Sequence, residues 1–334
     1  MLLVINPISG TLPKDGLEER VRRRLEPVGM SVETRLTERG GHAGELASEA
    51  AARGYYAVIA AGGDGTVNEI ASALRGTRTA LGILPYGSGN GLARHLYVSI
   101  DVDHALDVIA KDRPVACDCG IVNGSPFFCT FGLGFDADVS RQFASMQRRG
   151  LLSYVRSVVS KWFSYSPQKY EIEAVDEHGV IHHIDVKAFI VAVCNASQYG
   201  NNAFIAPGAS LTDGLLDIVI IHAGNPLSLA IAGAELFTGR IERNLLLEML
   251  RVRKVTIKRF PGVAHIDGEP CTLPETLRIE CQPGVVGIFA DPDKAPFKPF
   301  ITPIESMRDD SSYLIRENAR QIVKKIFGKL NFFY

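Results

Sequence analysis

The sequence predicts two domains of different class: an α/β N-terminal domain with a parallel sheet, then a β-sandwich-rich C-terminal domain. Three observations carry this. The chain has 334 residues, about twice the usual single-domain length. Its first ~110 residues alternate short apolar runs with helical patterns, the rhythm of right-handed strand–helix–strand crossovers. From about Pro114 that rhythm gives way to alternating strands joined by turns. At 46% hydrophobic and 22% charged residues, the chain can bury a sizeable core.

Along the chain, Leu2–Ile5 reads as a strand ended by Asn6-Pro7, and Leu17–Leu25 as a polar, Arg-rich helix. Val32–Leu36 is a second strand, and His42–Ala52 an Ala-rich helix that stops near Gly54. Ala57–Ala61 is a continuous apolar run bounded by Gly62-Gly63, the pattern of a strand buried on both faces. Val67–Leu74 is helical, and Ala80–Leu84 is a short strand before Pro85. In the second half, Val115–Val122 and Phe127–Phe131 flank Asn123-Gly124, a hairpin signal because both turn positions tolerate positive φ. Lys169–Val175, Lys254–Lys258 and Leu277–Cys281 alternate apolar with polar or charged residues, as half-buried strands do. Helical insertions are expected at about Asp136–Trp162 and Leu227–Phe237.

A third composition begins at Pro303. Ile315, Ile322, Ile326 and Leu330 recur at helical spacing with Val323 and Phe327 alongside, and Arg316 to Tyr334 carries a net +4. The expected division is therefore residues 1–112, residues 113–300, and a basic amphipathic helix over 303–334, with the last strands of the first domain returning from 285–300. Two readings of the tail stand side by side. It packs on the β-rich domain or on a partner, or it lies in a membrane interface with its basic residues on anionic headgroups.

Composition also excludes. A net charge of -1 argues against a generic nucleic-acid binder, which needs a broad basic field. No apolar run approaches the ~18–20 residues of a spanning helix. The N-terminus lacks a basic n-region and a cleavage site, so a cytoplasmic protein is expected. None of the six cysteines forms a Cys-x-x-Cys pair, so buried thiols are expected rather than disulfides or zinc ligands.

The densest motif is Gly62-Gly63-Asp64-Gly65-Thr66-Val67-Asn68-Glu69, between a buried strand and a helix. Glycines let backbone N–H groups approach phosphate oxygens, and a helix N-terminus favours negative charge. Asp64 would repel a bare phosphate and makes sense with magnesium between them. A second loop, Gly87-Ser88-Gly89-Asn90-Gly91, and a third, Asn6-Pro7-Ile8-Ser9-Gly10, also follow strands. In a parallel sheet such loops gather beyond the carboxyl ends of the strands, where ligands bind. Ile266-Asp267-Gly268-Glu269-Pro270 is either a hairpin turn or a general base with a metal-side partner. Asp213-Gly214-Leu215-Leu216-Asp217 is either a turn before a strand or a small oxygen-ligand ion site.

In this order, over roughly residues 1–292, the motifs together resemble the diacylglycerol kinase catalytic-domain family, which also holds sphingosine, ceramide and bacterial lipid kinases. Gly-Gly-Asp-Gly alone is shared with NAD kinases and phosphofructokinases, so the implied N-terminal fold is phosphofructokinase/NAD kinase-like. The resemblance implies an ATP-dependent lipid kinase using Mg2+, a transferase with a lipid alcohol as acceptor. Asn6, Pro7, Ser9 and Gly10 would form the first nucleotide loop, and Thr37-Glu38, followed by His42, would lie near the nucleoside. Gly62, Gly63, Asp64, Gly65, Thr66, Val67, Asn68 and Glu69 would cradle the phosphates, with Ser88, Gly89 and Asn90 nearby. Glu269 or Asp267 matches the acidic base position, with Asp64 as rival; Asp213 with the carbonyls of Ser210 and Leu215 would match a structural magnesium site.

There is one departure from the family pattern. Many diacylglycerol kinases carry Asp where this chain has Gly91, and His42-Ala43 also resembles the sphingosine kinase branch. Sphingoid or ceramide-like lipids therefore stand beside diacylglycerol as the acceptor. The expected partners are a lipid at a membrane surface, with peripheral contact through the C-terminal helix and no nucleic acid; a homodimer is an open option. The alternatives are a soluble-substrate kinase of the NAD kinase type and a non-catalytic nucleotide- or lipid-binding protein.

Overall fold

The computed structural model describes residues 1–10, 12–144, 165–291 and 297–330. Strands β1 (Leu2–Ile5), β2 (Glu33–Leu36), β3 (Ala57–Gly62) and β4 (Ala80–Pro85) lie in the order β2-β1-β3-β4, all parallel. Every residue of β3 and β4 is buried, which is why these runs are apolar throughout instead of alternating. Helix α1 (Leu17–Leu25) buries Leu17, Val21 and Leu25 at four-residue steps, and α2 (His42–Ala52) buries Ala43, Leu46, Ala47 and Ala50. Helix α3 runs Asp64–Leu74, three residues longer at its start than expected. Gly63 is its extended N-cap, so Asp64 and Gly65 belong to the first helical turn and not to a loop. Two helices not anticipated, α4 (Gly91–His95) and α5 (Val102–Ala110), follow β4.

The second half opens with β5 (Pro114–Val122) paired to β6 (Ser125–Phe127) around Asn123 and Gly124, both at positive φ as the hairpin signal requires. The run expected as one strand, Phe127–Phe131, is broken into β6 and β7 (Thr130–Gly134). The break occurs because Phe128, Cys129 and Thr130 give their N–H groups to a side chain instead of a strand. Then come α6 (Phe135–Ala144), β8 (Gln168–Asp176), β9 (Ile181–Cys194), β10 (Leu216–His222) and α7 (Pro226–Thr238). The chain continues through β11 (Leu247–Lys258), β12 (Gly262–Ile266), β13 (Glu269–Leu273), β14 (Thr276–Phe289) and α8 (Ile301–Leu330). The part of the expected Asp136–Trp162 insertion beyond 144 lies outside the described residues.

These later strands pair antiparallel, and β14 joins the two halves. Its first part pairs with β11; after a register break between Gln282 and Val286, Ile288 pairs in parallel with Leu81 of β4. The expected return from 285–300 is therefore the end of β14; residues 292–296 lie outside the described set.

The reading of the tail as packed on the β-rich domain or on a partner is corrected in one respect: the body of α8 lies on the first domain. Just before its first turn the chain touches the β-rich domain, where Phe300 N–H donates to the Thr238 carbonyl at 2.9 Å. Its body docks on the first domain: Asp310 pairs with Arg94 at 2.7 Å, Arg316 with Asp101 at 3.2 Å, and Tyr313 is 3% exposed. The side chains of residues 321–330, including Ile322 and Ile326, and residues 331–334 lie outside the described set. Among the described residues no helix is long and apolar enough to cross a membrane.

His95, at the end of α4, ties the first domain to the second. Its Nδ1 accepts the Ser197 N–H at 3.0 Å, and burial pushes its pKa down to about 4. The ring is therefore neutral in the fold, while the unfolded chain binds a proton near pH 6.5. Below that pH the unfolded state gains protons first, so His95 withdraws stability as pH falls from about 6.5 towards 4. We expect a His95→Asn variant to show a shallower loss of stability than the wild type over that window, measured by urea unfolding at stepped pH. Identical slopes would contradict the assignment.

Candidate active site

Three loops meet beyond the ends of β1, β3 and β4. Asn6 Nδ2 donates to Thr66 Oγ1 at 2.9 Å, fastening the first loop to the first turn of α3. A Cβ on Gly87 would sit 2.6 Å from Gly63 Cα, so only glycine lets the two Gly-rich segments pack backbone to backbone. Lys14 closes the first loop: Nζ donates to the Ser9 carbonyl and lies 4.7 Å from the centre of the Tyr86 ring. Pro7 and Ser88 are exposed at the rim, and Val67 is buried as part of the core. Thr37 is also buried and donates its N–H to the Ile5 carbonyl, while the Glu38 N–H donates to His42 Nδ1. Glu69 does not face the loops; its carboxylate accepts the Gly41 N–H at 2.9 Å and so fixes the start of α2.

The N-terminus of α3 has no side-chain cap. The N–H groups of its first turn need acceptors from elsewhere, and the helix dipole favours an anion there. The Gly-Gly backbone, the uncapped helix and the Asn6–Thr66 pair together fit the polyphosphate of a nucleotide.

The three candidate carboxylates separate by what already occupies them. Asp64 accepts the N–H groups of Asn90 and Gly91, each at 2.8 Å, and ties the second loop to α3. Burial pushes its pKa up, those two N–H groups pull it back, and the charge of Asp267 adds to the push. Its own backbone N–H also pulls the carboxylate down.

Asp267 is filled. It accepts from Phe128 N at 2.9 Å, Cys129 N at 2.8 Å, Thr130 N at 2.9 Å and Asn68 Nδ2 at 2.7 Å. Four donors meet the roughly four lone-pair sites of a carboxylate. Burial alone pushes this group up, but a proton on it would face only donors, so the ionised form is the one the geometry holds. The expectation of Asp267 as a general base is thus corrected: no lone pair remains for a substrate hydroxyl.

Glu269 is the opposite case. It is exposed and makes no hydrogen bond or ion pair with the described residues. Its Oε1 lies 3.7 Å from where a Cβ on Gly65 would stand, directly across from the first turn of α3. The hairpin that places it is a two-residue turn, Asp267-Gly268, with both residues at positive φ and Ile266 opposite Glu269. The segment is thus a hairpin turn, and the turn sets Glu269 across from the first turn of α3. His265 supports the turn. Its Nδ1 accepts from Gly268 N at 3.3 Å, and its Nε2 lies 3.1 Å from Asp136 Oδ2, which also accepts from Tyr199 Oη at 2.9 Å.

Ser210, Asp213 and Leu215 share one turn. Asp213 Oδ1 accepts the Leu215 N–H at 3.1 Å, and Oδ2 lies 3.8 Å from Arg251. Asp118, 2% exposed, braces this turn by accepting from Gly214 N and Gly284 N. Among the described residues no group of three or more His, Cys, Asp or Glu side chains could hold a metal, so a cation at this turn would draw on one carboxylate and backbone carbonyls, a hard-cation donor set.

Lys14, Asp118, Asp136, Tyr199, His265 and Arg94, whose Nε donates to the Gly89 carbonyl at 3.0 Å, were not singled out by the sequence. Only the basic Lys14 and Arg94 beside Gly-rich loops offered a signal.

Fold and site define a protein of the diacylglycerol kinase class. Residues 1–122 match the diacylglycerol kinase catalytic domain family, and residues 130–290 match the YegS C-terminal NAD kinase beta sandwich-like domain. A "Probable lipid kinase YegS-like" of Chromohalobacter salexigens is 31% identical over 86% of this chain and 92% of its own length. A protein of the same name from Pseudomonas fluorescens is 32% identical over 84% of this chain and 93% of its own. A crystal structure described as a diacylglycerol kinase from Bacillus anthracis matches with a TM-score of 0.65 at 20% identity, covering 87% of this chain and 96% of that one, and so shares the fold. The chain belongs to the YegS-like lipid kinase family.

The occupancy of the carboxylates separates their mutants. Asp267→Asn places an amide NH2 against backbone N–H groups and should cost about 2–3 kcal/mol, because hydrogen bonds to a buried charge are lost. Glu269→Gln should leave the melting temperature unchanged and cut turnover by about 10²-fold or more. Differential scanning fluorimetry beside a kinase assay reads both; a destabilised Glu269→Gln, or an Asp267→Asn as stable as wild type, would contradict the assignment.

Proposed function

We propose that the protein transfers the γ-phosphate of ATP to the hydroxyl of a membrane lipid, either diacylglycerol or a sphingoid or ceramide-type lipid. The observation that carries this reading is Glu269, a carboxylate without a partner among the described residues that faces the uncapped N-terminus of α3 across Gly65. Phosphoryl transfer needs alignment and charge stabilisation more than covalent help. The backbone N–H groups of the first turn of α3 and the loops at Gly63, Gly87 and Asn6 hold the polyphosphate. Lys14 adds a cation beside the first loop. Glu269 takes the proton from the attacking lipid hydroxyl, a role worth ~10²–10⁴-fold in rate. Magnesium, when bound, would offset phosphate charge; Asp64 is the carboxylate among these loops that would help hold it, and a structural ion would use the turn at Ser210, Asp213 and Leu215.

Gly91 bears on the acceptor. Its N–H serves Asp64, and a Cβ there would lie 3.3 Å from the Tyr199 carbonyl and 3.4 Å from Cys129 Sγ. The position is packed and contributes no carboxylate to the site. The absence of that acid is what places sphingoid and ceramide-like lipids beside diacylglycerol.

The acceptor also requires a visit to a bilayer, so peripheral membrane association belongs to this reading. The test is incubation with labelled ATP, Mg2+ and a panel containing diacylglycerol, sphingosine, ceramide and NAD. A labelled lipid supports the proposal and names the acceptor. Label on NAD alone, or ATP binding without any labelled product, would overturn it.

A further inference from the structure

Helix α7 is apolar on the side it shows to solvent. Leu227 is 72% exposed, Ile231 49% and Phe237 42%, with Ala230 and Ala234 exposed between them. Its one charged residue, Glu235, is engaged by Asn244 at 2.6 Å. A helix that is apolar all round is normally buried.

Helix α8 turns a mostly polar side to the protein and leaves several large apolar residues in solvent. The side turned to the first domain carries Ser306, Asp310, Tyr313 and Glu317. Arg94 explains that choice, because it pairs with Asp310 and donates to Ser306 Oγ at 3.2 Å. The side turned outward carries Ile301 at 52% exposure, Ile304 at 63%, Met307 at 43%, Leu314 at 40% and Ile315 at 70%, with the exposed charges Glu305, Arg308 and Asp309 alongside. The two helices adjoin where Phe300 N–H meets the Thr238 carbonyl, and Arg240 lies 5.2 Å from the Phe300 ring at that junction.

We propose that the outer faces of α7 and α8 together form the surface by which the protein docks on an anionic lipid bilayer. The choice of a bilayer rests on the lipid-kinase reading and on charge. Arg308, Arg316 and Arg320 are exposed on α8, each beside a carboxylate (Asp309, Asp101 and Glu317), so the basic excess of the helix lies beyond residue 320. The remaining sequence adds Lys324, Lys325 and Lys329 with no acidic residue after Glu317. Apolar residues flanked by cations suit the acyl–headgroup boundary. A second copy of the chain on the same surface would set two +4 segments against each other, which favours the bilayer as occupant.

The test uses the full chain and sucrose-loaded vesicles of phosphatidylcholine, with and without phosphatidylglycerol. Leu227→Glu with Ile231→Glu, and separately Ile304→Glu with Ile315→Glu, alter exposed positions and should leave the melting temperature and the phosphorylation of a short-chain, water-soluble acceptor unchanged. Each pair should weaken sedimentation with anionic vesicles at least tenfold, and salt should weaken wild-type binding. Unchanged vesicle binding in both pairs would overturn the proposal. So would a dimeric wild type in analytical ultracentrifugation that the same substitutions convert to monomer. Absence of any lipid phosphorylation, with vesicle binding intact and lost in the variants, would sink the kinase reading and leave the docking surface supported.

Discussion

The carboxylate of Asp267 is the contact on which the rest of the site depends. Three of its partners are consecutive backbone N–H groups, from Phe128 to Thr130, and the fourth is Asn68 on α3. It therefore fixes the gap between β6 and β7 and also pins the C-terminal hairpin to the helix whose N-terminus lies among the Gly-rich loops. A charged group taken out of water is tolerated only when its lone pairs are satisfied, and here they are. Because Asp267 and Gly268 make a two-residue turn, fixing Asp267 also fixes Glu269. The acid that faces the first turn of α3 is thus placed by an acid whose own lone pairs are engaged in holding the fold.

Asp64 repeats the device on a smaller scale. It spends one lone pair of each oxygen on the second loop, through Asn90 and Gly91, and ties that loop to α3. Arg94 extends the chain of contacts outward, from the Gly89 carbonyl to Ser306 and Asp310 on the terminal helix. The loops that would hold a nucleotide and the helix that would meet a bilayer are therefore mechanically continuous through one largely buried guanidinium.

Much of this was legible in the sequence. Strands buried on both faces announce themselves as unbroken apolar runs, so β3 and β4 were readable, and Asn123-Gly124 set its hairpin. The Gly-rich segments, and the family resemblance they support, also lie on the surface of the sequence. What was not legible depends on three-dimensional occupancy. Sequence spacing cannot say that the lone pairs of Asp267 are consumed while Glu269 finds no partner among the described residues. It could not foresee that Phe127–Phe131 would break, because the cause sits far along the chain at Asp267. Nor could it show that α8 turns Ser306 and Asp310 inward, since that follows from Arg94 on a distant helix.

The central claim is that Asp267 is a clamp joining two domains and not a reacting base. Amide hydrogen exchange tests it most directly. In the wild type the N–H groups of Phe128, Cys129 and Thr130 should exchange only as slowly as the protected strands around them. In Asp267→Asn those three amides should lose protection together, along with the start of α3 near Asn68, while β1 and β3 remain protected. Protection unchanged at 128–130 in the variant would contradict the account.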